Sequence, residues 1–183
     1  KPDVSANLAP LLTLGAALAA HDSIERTTEL QVDIKWPNDL LVGRKKVCGI
    51  LSEMHAELDQ VRSMVVGIGI NVNHSEMPDE IKGIGTSLRL ESGRQHSRIE
   101  ILVDFLTAFE KIYERFVEKG PVSITEPWMA LSSFAHGRAL AVHDGVRQIE
   151  GVTDGLSTLG ALRIRRVDGS VEEVYSGDVV NWG

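Results

Sequence analysis

Residues 35–40 read Lys-Trp-Pro-Asn-Asp-Leu (KWPNDL), and they determine how the chain around them is interpreted. A short strand is predicted over residues 32–35, and it ends there because Pro37 cannot donate to a β-ladder. The chain contains only three tryptophans, so Trp36 next to a proline is not the product of a generic periodic pattern. The sequence therefore predicts that Lys35 is held in a fixed place at a strand end. An unperturbed lysine there carries a positive charge at neutral pH.

Strands are predicted on the C-terminal side of this hexapeptide. Residues 40–42 and 46–55 are typical of two strands joined by a turn at Gly43-Arg44. The apolar run 61–72 predicts a buried strand, in which Gly67 and Gly69 alternate with isoleucines. Glycine in a strand marks a place where a ligand or another backbone comes close. These glycines therefore indicate a surface on which a flat or extended ligand can lie.

Asn71 closes this strand with a carboxamide, which suits a phosphate oxygen or a hard metal ion. A simpler interpretation exists for each residue alone, since a strand-end lysine is usually solvated and a strand-end asparagine usually forms a turn. The co-occurrence of Lys35, the segment Gly49-Ile50-Leu51 and the segment 67–71 favours a ligand site.

The rest of the chain predicts helices, a long loop and a small β-domain. A helix is expected over residues 9–24, although its segment 11–20 imitates a signal sequence; it is too short to span a membrane. Residues 73–97 are expected to be mostly loop, and a capping box of Ser97 and Glu100 begins a second helix. That helix is predicted to end at Gly120 and to bury the stripe formed by Ile99, Leu102, Val103, Leu106, Phe109, Ile112, Tyr113 and Phe116.

From about residue 134 short alternating segments are separated by Asp-Gly turns, which indicates a small antiparallel barrel. Five strands are predicted, over residues 139–142, 148–152, 161–164, 171–174 and 178–180. The predicted fold class is therefore α/β (α+β), with a domain over residues 1–133 followed by a small β-barrel over residues 134–183.

Composition limits the function classes. The chain has 183 residues, 43% of them hydrophobic, and a formal net charge of -7. Such an acidic composition argues against nucleic acid as a partner of this chain, because recognition of nucleic acid needs a basic face. The single cysteine, Cys48, is expected to pack in the core, and a cytoplasmic location follows as the default. The basic turn 44–46 is interpreted as solvated, or as a contact for an acidic carrier domain.

KWPNDL, the following VCGIL (residues 47–51) and GIGINVN (residues 67–73) together resemble the catalytic domain of biotin–protein ligases. Two further elements of that family have counterparts here, in Gly85-Thr86-Ser87-Leu88 and Ser176-Gly177-Asp178-Val179. The resemblance covers essentially the whole chain. It implies a mixed-sheet domain of the biotin/lipoate-ligase type with a C-terminal SH3-like barrel.

The resemblance also implies an activity, namely formation of biotinyl-5′-adenylate from biotin and ATP with Mg²⁺, and transfer of biotin to a lysine of a biotin carboxyl carrier domain. By resemblance, Lys35 contacts biotin and the α-phosphate region, and Asn71 holds phosphate or Mg²⁺. The residues implied to line the biotin pocket are Lys35, Gly49, Ile50, Gly67, Ile68 and Gly69. Residues 36–39 are interpreted as the frame that presents Lys35. A homodimer is compatible with the resemblance, and no membrane partner is expected.

Some features of the family are absent. Nothing like its GRGRxGR loop precedes KWPNDL, and the chain begins without Met. The chain is therefore expected to lack the N-terminal part of the catalytic domain, and to be weakly active or inactive alone. Two alternatives remain open for the parent protein, a bifunctional ligase that also represses transcription and a lipoate-type ligase.

Overall fold

The computed structural model describes residues 2–57, 60–180 and 182. Helix α1 (Leu11–Thr28) leads into a four-stranded sheet made of β1 (Asp33–Lys35), β2 (Asp39–Val42), β3 (Lys45–Glu57) and β4 (Gln60–Ile70). The strands lie in chain order and all three pairs are antiparallel. A parallel bridge between Lys46 and Gly85 gives the sheet a mixed character.

Three helices follow the sheet: α2 (Leu88–Ser92), α3 (Arg98–Lys119) and α4 (Val122–Leu131). The predicted cap is confirmed, because the Ser97 side chain accepts a hydrogen bond from the Glu100 N–H. Gly120 ends α3 with a φ of 74°, a value that glycine adopts without strain. Helix α4 was not predicted, since Pro127 lies inside it and interrupts the sequence signal. Burial of Ile124 and Trp128 compensates for that interruption.

Helix α1 is surrounded by protein. It packs against α3, α4 and the sheet, and buried residues occur all around its axis. Gly15 allows a close approach, because a Cβ there would lie 3.3 Å from both Ile112 and Ile124. Such an apolar environment explains how the signal-like run 11–20 serves as the central helix of a folded domain. No helix in the part of the chain that the structure describes is long and apolar enough to cross a membrane.

The predicted stripe on α3 was only partly right. Ile101, Phe105 and Phe116 are the buried residues of this helix. Phe109, Ile112 and Tyr113 from the stripe also pack against the core. The N-terminal half of the stripe is exposed, and its members are Ile99, Leu102, Val103 and Leu106. Apolar residues lie on both sides of the first turns, so periodicity alone selected the wrong side.

The C-terminal sheet contains the five predicted strands, of which the first two are longer than predicted and the third is shifted by one residue. They are β5 (His136–His143), β6 (Gln148–Leu156), β7 (Leu162–Arg165), β8 (Val171–Val174) and β9 (Asp178–Val180). The order is β8-β7-β6-β5-β9, and every pair is antiparallel. This sheet shares one hydrophobic cluster with the first part of the chain. The Ser132 hydroxyl also donates to the Ile34 carbonyl over 2.5 Å. The boundary at residue 134 stays a prediction.

The Cys48 thiol is expected to be unreactive in the folded protein. Its side chain is buried, and this burial raises the pKa of Cys48 to about 12. Alkylation requires the thiolate, so Cys48 at pH 8 should resist iodoacetamide in native protein and react after unfolding in guanidinium. Mass spectrometry of the peptide that contains Cys48 measures both. Equal labelling of the native and unfolded protein would show that Cys48 is accessible.

Candidate active site

The KWPNDL segment is tied to both halves of the molecule. Trp36 is 1% exposed, and its indole N–H donates to the Gly160 carbonyl of the C-terminal sheet domain over 3.2 Å. Asn38 holds Ile50 from two sides, since its carbonyl accepts the Ile50 N–H at 2.9 Å and its side-chain amide donates to the Ile50 carbonyl at 2.7 Å. These contacts fit the framing role predicted for Trp36 and Asn38.

Strand register brings the predicted glycines to the same face of the sheet as Lys35. Residues directly opposite each other in antiparallel strands project to one face. Lys35 pairs with Asp39, Asp39 with Gly49, and Gly49 with Gly69. One step further along, Leu51 pairs with Gly67. We call the surface formed by Lys35, Asp39, Gly49, Leu51, Gly67 and Gly69 the glycine face.

The glycine face is open and partly apolar. A Cβ added at Gly69 would lie 3.9 Å from the Gly49 carbonyl, and one at Gly67 would lie 3.5 Å from the Leu51 carbonyl. Both are ordinary contact distances, so close packing within the protein does not explain these two glycines. Leu51 and Val65 are 67% and 64% exposed beside them. The strand β4 is therefore exposed on this face, which corrects the expectation of a buried strand.

Two predicted pocket residues have side chains on the opposite face. Ile50 is 2% exposed, and Ile68 packs against the core with its neighbour Ile70. Ile50 and Ile68 are a cross-strand pair, so both point toward α1 and away from the glycines. Only their backbone groups can contribute to a ligand site on the glycine face.

Lys35 lies where the two domains meet, under the indole of Trp182. Its Nζ is 5.5 Å from the Trp182 ring centroid, a cation–π distance. Arg44 and Arg138 approach the same ring at 4.9 Å and 5.2 Å. The ring also meets Phe134 edge-on at 5.2 Å. Lys35 is thus one of three positively charged side chains that surround the Trp182 ring.

Burial and neighbouring charges shift the pKa of Lys35 in opposite directions. Partial burial lowers the pKa of Lys35, because desolvation disfavours the charged ammonium. Asp39 opposes this effect and favours the charged form, Lys46 adds to the lowering, and Asp178 again favours the charge. Two carboxylates therefore hold the positive charge on Lys35 against burial.

Asn71 is fixed at the end of β4 by the segment that follows the loop. Its amide nitrogen donates to the Thr86 carbonyl at 3.0 Å, and its carbonyl accepts the Leu88 N–H at 2.8 Å. Because the side-chain nitrogen of Asn71 donates to Thr86, the side-chain oxygen Oδ1 is the atom available to a ligand. The described residues contain no group of three or more His, Cys, Asp or Glu side chains that could hold a metal ion.

The loop over residues 73–97 is closed by its own hydrogen bonds. The Asn73 side chain both donates to and accepts from the backbone of His96, at 2.8 Å and 2.9 Å. Ser87 caps α2 and donates to the His74 carbonyl at 2.7 Å. The loop expectation was right for most of this segment, and α2 adds a short helix that it did not include.

Arg44, Lys45 and Lys46 are all exposed, as expected for a solvated turn. The sequence did not predict the ion pair of Lys46, whose Nζ lies 2.5 Å from Asp39 Oδ1 on the glycine face. Strict alternation would place Lys46 on the same side as buried Cys48. A strand irregularity, which has no signal in the sequence, reverses that expectation.

This architecture, an α/β domain followed by a small antiparallel domain, is shared with a class of ligases. A family model described as the biotin/lipoate A/B protein ligase family matches residues 1–73. The biotin protein ligase of Aquifex aeolicus superimposes with a TM-score of 0.81 and 32% identity, over 95% of this chain and 74% of that protein. The chain belongs to the biotin protein ligase family.

A second structure of the same enzyme and a curated relative agree with this assignment. The structure of the Aquifex aeolicus enzyme in complex with biotin and ATP gives a TM-score of 0.80 and 30% identity, over 96% of this chain and 75% of that one. The bifunctional ligase/repressor BirA of Bacillus subtilis is 38% identical over 98% of this chain. That match covers 55% of the BirA sequence, so the chain spans about half the length of this curated relative.

Proposed function

We propose that the protein carrying this chain is a biotin–protein ligase. It joins biotin and ATP to form biotinyl-5′-adenylate, and it transfers biotin to a lysine of a biotin carboxyl carrier domain. The observation that carries the proposal is the position of Lys35 on the same face of the sheet as the uncovered backbone of Gly67 and Gly69. The relative from Aquifex aeolicus described in complex with biotin and ATP supports the choice of ligands.

In the first step an oxygen of the biotin carboxylate attacks the α-phosphorus of ATP. The bond from that phosphorus to the bridging oxygen breaks, and pyrophosphate leaves with the electron pair. Negative charge grows on the α-phosphate oxygens, and Lys35 offsets it. A preorganised donor of this type typically contributes about 10²–10³ in rate. The carboxylates of Asp39 and Asp178 help Lys35 to keep the charge that this role requires.

In the second step the neutral ε-amine of a carrier lysine attacks the acyl carbon of biotinyl-5′-adenylate. The acyl–phosphate bond breaks, AMP leaves, an amide forms and the amine loses its proton to solvent. The glycine face holds the biotin moiety through the backbone of residues 49–50 and 67–69, with Leu51 and Val65 as apolar support. Lys35 stays beside the phosphate that departs.

Mg²⁺ fits this site only as an ion that arrives with the phosphates of ATP. The described donors do not form an all-protein metal site, and Mg²⁺ commonly binds through one or two protein oxygens plus phosphates and water. We assign Asn71 Oδ1 to this role, as the oxygen that the fixed amide leaves available. When bound, Mg²⁺ neutralises phosphate charge.

Two alternatives keep specific support. The Bacillus relatives are named bifunctional ligase/repressor, so the parent protein can combine ligation with repression; DNA binding is not proposed for these residues because their net charge is -7. The matching family model also includes lipoate ligases. We also propose a cytoplasmic location, which the free, buried thiol of Cys48 supports.

Biotin-dependent exchange of labelled pyrophosphate into ATP tests the proposal. The complete protein should catalyse exchange with biotin and not with lipoate, and it should label a purified carrier domain on its single target lysine. Exchange that depends on lipoate instead would replace the proposal with the lipoate-type alternative. Absence of exchange with either acid would reject adenylation.

The 183-residue chain alone is expected to be a poor ligase, because it spans only part of the relatives it matches. The same exchange assay on the purified 183 residues should give a small fraction of the rate of the complete protein. Equal rates would show that these residues contain the entire catalytic apparatus.

A further inference from the structure

The strand β3 contains an irregularity beside the glycine face. Leu40 of β2 pairs with Cys48, whereas the next residue, Leu41, pairs with Lys46. Val47 is therefore an extra residue, and its side chain is buried at 0% exposure. Such bulges redirect neighbouring side chains and are common next to active sites. Here the bulge turns Lys46 out of the core direction and onto the glycine face.

The backbone of Lys46 is held in place on both sides. Its N–H donates to the Ile84 carbonyl at 2.7 Å, and its carbonyl accepts the Thr86 N–H at 2.9 Å. The Asn71 amide donates to the Thr86 carbonyl. One short segment therefore fixes Lys46 and Asn71 together, so the position of Lys46 does not depend on the solvated turn before it.

The side chain of Lys46 crosses the floor of the site. A Cβ added at Gly49 would lie 2.8 Å from Lys46 Cε and 2.9 Å from Lys46 Nζ. No side chain can stand at residue 49 unless Lys46 moves. Gly49 thus differs from Gly67 and Gly69, where an added Cβ would meet only a neighbouring carbonyl at an ordinary contact distance. Gly49 makes room for Lys46, and the other two glycines leave room for a ligand.

Asp39 lies between two lysines. It is the cross-strand partner of Lys35, and its Oδ1 forms the 2.5 Å ion pair with Lys46. The Asp39 side chain is 18% exposed, while that of Lys46 is 47% exposed. Lys46 is therefore the more accessible partner, and solvent and ligands can reach its side chain more easily than that of Asp39.

We propose that Lys46 is a second substrate-binding cation. Its ammonium moves from Asp39 to the biotin carboxylate, and it then binds the acyl phosphate formed from that carboxylate. Asp39 is the ion-pair partner of Lys46 and competes with the substrate for its ammonium. This inference rests on the proposed function. It assigns the charged end of the ligand to the Lys35–Lys46 side of the glycine face, and the apolar end to Leu51 and Val65.

Calorimetric titration of the complete protein with biotin and with biotinamide, its neutral carboxamide, tests this role. Lys46→Gln, which keeps the length of the side chain, should weaken biotin binding about 10- to 100-fold, the usual effect of losing a charge-assisted hydrogen bond. It should leave biotinamide binding nearly unchanged. Lys45→Ala, an exposed neighbour on the same strand, is the matched control and should bind both ligands like the wild type.

Asp39→Asn separates substrate binding from a merely structural ion pair. Removal of the competing carboxylate should tighten biotin binding a few-fold, in the direction opposite to Lys46→Gln. Equal weakening by both variants, or equal loss of biotin and biotinamide, would assign the pair to structure and overturn the inference. If the wild type and Lys46→Gln bind biotin equally well, the inference about Lys46 is overturned and the proposed function is not. A wild type that does not bind biotin overturns the proposed function with it.

Discussion

Replacement of Lys35 by alanine is expected to lower the rate of biotinyl-5′-adenylate formation by about 10²–10³. The loss comes from the transition state, in which charge grows on the α-phosphate and the Lys35 ammonium is no longer present to offset it. The fold should survive, because Lys35 is half-buried and its neighbours Ile34 and Trp36 carry the packing. Biotin-dependent pyrophosphate exchange in the complete protein measures the rate.

The matched control is Lys111→Ala, which removes the same charge from an exposed position of α3. It should exchange pyrophosphate at the wild-type rate. A second measurement is the pH profile, since burial lowers the pKa of Lys35. The wild-type rate should begin to fall with rising pH below the usual pKa of lysine, and this alkaline limb should be absent from Lys35→Ala. A wild-type exchange rate in Lys35→Ala would exclude Lys35 from the chemistry.

Replacement of Gly69 by valine is expected to abolish biotin binding while leaving the protein folded. A Cβ at this position meets only the Gly49 carbonyl, at 3.9 Å, so the fold accommodates a side chain at residue 69. Valine favours strands, and the free energy of unfolding should stay constant or rise by up to about 1 kcal/mol. The added methyl groups project from the floor on which the ligand is proposed to lie.

Thermal unfolding and titration with biotin separate these two effects. The control is Ser63→Val, on the same strand and about 20 Å away at 3.4 Å per residue. It should bind biotin like the wild type with a similar melting temperature. If Gly69→Val binds biotin within a few-fold of the wild-type affinity, the ligand does not lie on the glycine face. A large loss of stability would show that the space above Gly69 belongs to the fold.

A site residue could be predicted from the sequence where its neighbours in the chain determine its position. Lys35 was predictable, because a tryptophan and a proline next to it ended a strand at a known residue. Gly67 and Gly69 were predictable as a bare surface, since alternation in one strand places them on the same side. Asn71 was predictable as a polar strand end. These are local properties, which depend on a few neighbours in the chain.

The errors arose where several elements compete for the same surface. In α3 both sides of the first turns are apolar, and only the position of α1 and the sheet decides that Ile101 and Phe105 are buried. In β4 the apolar run suggested burial on both faces, yet protein covers only one of them. Burial depends on what packs against an element, and that information is spread over the whole chain.

The sequence by itself determined the family, the order of most elements, and the lysine at the end of the first strand, because these follow from short motifs and local periodicity. Only the tertiary structure decided which groups meet on the glycine face. Register aligned Lys35 with three glycines from two other strands. The bulge at Val47 added Lys46 to that face. A one-residue shift in pairing reverses the direction of a side chain, and such a shift is set by packing across strands.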